Sequence, residues 1–81
     1  VNSPSEIAAA IQALLQQRGE GKSVCPSDVA RALDPVDWRD LMEPVRAVAR
    51  ELVTKGKLRI TQKGKDLDPA KVGGAIRLRL P

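Results

Sequence analysis

Apolar residues recur along this chain with two different periods, and the change from one to the other divides it. Ile7, Ile11, Leu14 and Leu15 stand at i, i+4, i+7 and i+8, the stripe of an amphipathic helix. Ser3-Pro4-Ser5-Glu6 punctuates its start. The Ser3 hydroxyl is placed to accept from the amide of residue 6 while Glu6 reaches back, and Pro4 falls in the first turn, where a missing N–H does no harm. Gly19, after Arg18, stops the helix. Gly19-Glu20-Gly21-Lys22 reads as a turn and Ser23-Val24 as a stub of strand. A second helix restarts at Pro26 with Cys25 as its N-cap and Ser27-Asp28 placing an anion at its positive end. Val29, Ala30, Ala32 and Leu33 form its small apolar face, and Asp34-Pro35 ends it, because a residue before proline avoids the helical region.

Val36 to Glu43 reads as a short helical turn, capped by Asp37, that leads into a third helix from Pro44 to about Lys55. The apolar set of that helix is Val45, Val48, Ala49, Leu52 and Val53, and Gly56 stops it. Beyond Gly56 the period falls to two. Leu58, Ile60 and Gln62 alternate with Lys57, Arg59, Thr61 and Lys63, and Ile76, Leu78 and Leu80 alternate with Arg77 and Arg79. Gly64, Asp66, Asp68, Pro69, Gly73 and Gly74 give the segment between them loop chemistry. Two amphipathic strands joined by a basic loop predict a hairpin with one face packed on the helices. The expected fold class is α+β and mostly helical. It is a winged helix-turn-helix with a three-helix body over 3–56, a short turn helix within it, and a C-terminal β-hairpin wing over 57–80.

Three stretches carry a more specific likeness: Ser23-Val24-Cys25-Pro26-Ser27-Asp28-Val29-Ala30, the turn Trp38-Arg39-Asp40-Leu41-Met42, and Ile60-Thr61-Gln62-Lys63-Gly64 with Asp68-Pro69. In these the chain resembles an uncharacterised bacterial family of small winged-helix proteins, a domain-of-unknown-function family, over roughly residues 5–79. The resemblance implies the fold and assigns no activity.

Composition narrows the function classes. The chain has 81 residues, enough for one domain, and 42% of them are apolar, with one Trp and no Phe or Tyr, so aliphatic side chains must fill the core. A single cysteine forms no internal disulfide, which suits a reducing, cytoplasmic setting. No apolar run reaches the ~20 residues of a membrane span. Val1-Asn2-Ser3-Pro4 lacks the n- and h-regions of a signal peptide. It also lacks an initiator Met, as in a processed chain or one cut from something longer. With no His and only Cys25, the soft or borderline ligands of a zinc site are missing, and no metal or cofactor is expected. Asp34, Asp37, Asp40 and Glu43 cluster near Trp38, but capping and neutralising Arg39 and Arg46 explain them better than acid–base catalysis. The chain does not read as an enzyme, and no small-molecule substrate is evident.

Charge supplies the functional clue. Residues 1–56 hold seven Lys/Arg against eight Asp/Glu, whereas residues 57–81 hold seven Lys/Arg against two Asp. A basic appendage on a nearly neutral body favours a polyanionic partner. Arg46 and Arg50 stand one turn apart on the polar face of the third helix, a like-charge pairing that helix stability does not explain. With Lys63, Lys65 and Lys71 on the wing, they form the expected contact set for duplex DNA, and Arg59, Arg77 and Arg79 line the outer face of the hairpin. Two features oppose this. The link from Asp34 to Glu43 is longer than a standard helix-turn-helix turn, and its acids lie near the start of the third helix. The alternative is a protein-interaction module or homodimer that uses Trp38, Leu41 and Met42 as an apolar anchor.

Overall fold

The computed structural model describes residues 3–19, 21–68 and 74–81. Three helices, α1 (Pro4–Arg18), α2 (Pro26–Leu33) and α3 (Met42–Thr54), pack on a four-stranded antiparallel sheet of β1 (Ser23–Val24), β2 (Arg59–Gln62), β3 (Lys65–Asp66) and β4 (Arg77–Arg79). The strand order is β1-β4-β2-β3. The molecule is therefore a small α+β protein whose first strand lies between helices in sequence and closes one edge of a sheet made mostly by the C-terminal third.

The start of α1 carries the expected reciprocal cap. Glu6 N–H donates to Ser3 Oγ at 3.2 Å, and Ser3 N–H donates to Glu6 Oε1 at 3.2 Å. Hydrogen bonding to the carboxyl, from the Ser3 amide first and with the Ser3 side chain second, holds Glu6 below its ordinary value. A carboxyl lowered in the folded state stabilises above its unfolded pKa, and that stability is lost as pH falls through the folded value. Acidification below about pH 4 is thus expected to lower the protection of the Ser3 and Glu6 amides relative to their intrinsic exchange rates, and Glu6→Gln should remove that loss. Protection with the same pH response in both proteins would contradict this.

The core is built from the faces that periodicity picked out. Ile7, Ile11 and Leu15 of α1 meet Val29 and Ala30 of α2 and Val45, Val48, Ala49 and Leu52 of α3. Across the sheet, Val24, Leu78 and Ile60 form one inward row, because Val24 pairs with Leu78 and Leu78 with Ile60. All three are buried.

The structure departs from the sequence reading in three places. First, α3 begins at Met42 rather than Pro44, as a direct continuation of a 3-10 turn over Trp38–Leu41. Pro44 still falls in the first turn, where amides have no intrahelical acceptor. Second, Asp37 makes no side-chain cap bond. The Asp34 carboxylate instead orders the link before it, accepting from the amides of Val36 and Asp37 at 3.0 Å each in an Asx-type turn.

Third, the segment after β2 is not all loop. Lys65 and Asp66 form β3, paired with β2 in the register Thr61 to Asp66 and Gln62 to Lys65, so Lys63 and Gly64 make a two-residue turn. Both have positive φ, 54° and 81°, the backbone of the hairpin turns that match strand twist. Lysine seldom adopts that conformation, so the signal in the sequence is weak. The extra strand also explains why alternation fails at Thr61. That residue pairs with Arg77 on one side and Asp66 on the other, and it is buried on the polar face of the sheet.

Candidate nucleic-acid interface

The polar face of the sheet is a braced surface rather than a row of free cations. Arg59 donates through Nε and Nη2 to Asp66 Oδ1 at 3.0 and 2.8 Å. Arg79 donates to the Gly21 carbonyl at 2.8 Å. Arg77 reaches across to the edge strand, where Nε donates to Ser23 Oγ at 2.9 Å and Nη2 to the Ser23 carbonyl at 3.1 Å, with Nη1 on Cys25 Sγ. These three arginines, which alternation placed on the outer face, tie β1 and β3 to the centre of the sheet.

A second basic group is less committed. Arg46 lies on α3 with its side chain 26% exposed. Its Nη2 donates to the Gly74 carbonyl at 3.4 Å, and its Nη1 is 3.9 Å from Glu43 Oε1. Its Nε is buried and finds no hydrogen-bond partner among the described residues. A buried donor left unsatisfied costs about 1–3 kcal/mol, so this guanidinium is poorly matched to its resting contacts. Glu43 is 80% exposed and free to swing away. One turn along, Arg50 makes no side-chain hydrogen bond or ion pair among the described residues, and the same is true of the exposed Lys63 and Lys65. Lys71, the fifth expected contact, lies outside the described residues.

Arg46 and Lys63 share one cleft with Arg77. It has a volume of about 450 Å³ and runs between the N-terminus of α2 (Cys25, Pro26, Ser27), Met42 at the start of α3, and the approach to β4. The Asp28 carboxylate at that helix end is engaged, accepting from Cys25 N–H at 3.0 Å and meeting Arg18 at 3.5 Å. A helix N-terminus beside two cations is a favourable place for an anion. A family model described as a protein of unknown function, DUF3253, matches residues 4–81. The chain belongs to the DUF3253 family. No curated protein matches the sequence.

In this DUF3253 domain the alternative anchor is less available than its residue types suggest. Trp38, Leu41 and Met42 are all partly buried against the core. The guanidinium carbons of Arg31 and Arg39 lie 4.3 and 4.4 Å from the Trp38 ring centroid, so two cation–π contacts cover the indole. The exposed apolar side chain of this region is Val36, 80% accessible. Among the described residues no group of three or more His, Cys, Asp or Glu side chains is placed to hold a metal ion, and no helix is long and apolar enough to cross a membrane. The Arg46–Lys63–α2 cleft escaped the sequence reading because it joins segments far apart in the chain. Cys25 and Arg77 carried no signal of their meeting beyond their residue types.

Proposed function

We propose that this DUF3253 domain is a winged helix that binds duplex DNA without catalysis. The element order supports that architecture, with α2 and α3 as the helix pair, β1-β4-β2 as its sheet and the β2–β3 hairpin as the wing. In this reading the polar face of α3 enters the major groove. Arg46 and Arg50 contact base edges or phosphates, and Lys63 and Lys65 at the hairpin tip hold the flanking phosphates. The observation that carries the reading is the convergence of Arg46 and Lys63 beside the N-terminus of α2, where a backbone phosphate would meet two cations and the Ser27 amide.

The decisive measurement is duplex affinity as a function of salt. Four phosphate contacts by Arg46, Arg50, Lys63 and Lys65 give a log–log slope of about −4 between roughly 50 and 200 mM salt, and Lys71 would steepen it. Absence of saturable duplex binding at the lowest salt would sink the proposal. It would turn attention to a protein partner at the surface around Val36 and Trp38, where the exposed valine favours that second reading.

A further inference from the structure

We infer that the cleft between α2, α3 and the start of β4 is a binding site for a phosphate monoester with a compact apolar body. The sequence points to no small-molecule ligand, and the duplex reading asks of this cleft only that Arg46 and Lys63 meet one backbone phosphate at its rim. The cleft has features that a DNA backbone does not call for. Its volume of about 450 Å³ lies within the range of small-molecule sites. Pro26, Met42, Ala75 and Ile76 give it apolar walls, while Arg46, Lys63 and Arg77 supply three positive charges.

The charges select the head group. Glu43 offsets one of the three cations, leaving a local excess close to the double negative charge of a phosphate monoester at neutral pH. Most donors of Arg77 are spent on Ser23 and Cys25, so it contributes mainly its charge. Arg46, held by one long hydrogen bond and one loose ion pair, and the exposed Lys63 have donors to give. The Ser27 amide adds another, the one N–H of the first turn of α2 left over once Pro26 supplies none and the Asp28 and Val29 amides donate to the Cys25 carbonyl. The apolar body would rest on Met42 and Ala75.

The test uses the full chain with no DNA present, so its outcome is independent of the duplex proposal. Phenyl phosphate, inorganic phosphate and benzyl alcohol are titrated separately while amide and arginine side-chain NMR signals are followed. Phenyl phosphate is expected to shift the Ser27 amide and the Arg46 Nε–H in a saturable way. That buried proton should exchange slowly enough to be seen. Inorganic phosphate should bind more weakly, and benzyl alcohol should leave both signals in place. Lys63→Asn keeps the turn, since asparagine tolerates positive φ, and should weaken phenyl phosphate about tenfold, the loss of one charge-assisted contact. The inference fails if phenyl phosphate gives no saturable shift, if benzyl alcohol reproduces it, or if Lys63→Asn binds as tightly as the native chain.

Discussion

Arg46→Met is expected to leave the fold as stable as the native chain, or more stable by up to about 1 kcal/mol, while duplex affinity falls about five- to 150-fold. The two effects have one cause. The Arg46 guanidinium sits in a half-buried position, with an Nε unpartnered among the described residues, a 3.4 Å bond to Gly74 and a 3.9 Å approach to Glu43. Methionine keeps the unbranched stem that packs against α3 and removes a donor that the fold does not satisfy. What the fold loses in the weak contact to Gly74, it regains by no longer desolvating a charge. Duplex binding loses the same charge with no replacement. Chemical denaturation and salt-matched duplex titration measure the two quantities separately. Destabilisation beyond about 2 kcal/mol would instead make Arg46 a brace for the start of β4, and its place in the proposed interface would fall.

Leu78→Ala should have the largest effect on stability of any single truncation in the sheet. Leu78 is fully buried in β4, an interior strand, with Val24 on one neighbour and Ile60 on the other. Removing its side chain opens a cavity between the sheet and the helices, where rigid backbone on both flanks limits collapse. The expected cost is about 3–4 kcal/mol. A domain of this length holds roughly 4–12 kcal/mol in total, so most of the margin would go. Thermal unfolding should drop by about 12–30 °C at the usual conversion for a small domain. Val36→Ala, a change of similar chemistry at an exposed site, should move the midpoint hardly at all. If the two variants melted together, the buried row across β1, β4 and β2 would not be the centre of the sheet.

These expectations rest on features that differed in how legible they were from residues alone. The α1 cap could be read because Ser3 and Glu6 are three positions apart, and their bonds are made within one turn. The apolar stripes of α1 and α3 and the inward aliphatics of β2 and β4 are equally plain. Aliphatic residues at a regular period have only one way to leave water. By contrast, Asp37 stands at the expected N-cap of the turn before α3 but makes no side-chain cap bond, and the carboxylate that binds amides of the link is that of Asp34. Both are short acids near a turn, and only the backbone trajectory after Pro35 decides which carboxylate meets the amides. The hairpin of β2 and β3 was hidden by a lysine in a left-handed conformation. The outer arginines were placed on the correct face, but alternation says nothing about which neighbour each one finds.

Residue order alone determined where α1 and α2 start and stop, which faces turn inward, and that positive charge gathers in the last third. Those properties follow from local bonding and from the cost of wetting apolar surface, which act over a few residues at a time. The pairing of β1 with β4, the ties from Arg77 to Ser23 and Cys25, and the meeting of Arg46 with Lys63 at the end of α2 were settled only by folding. Each joins segments separated by many positions in the chain. Their encounter depends on how the whole core packs, and no short window of sequence contains that information.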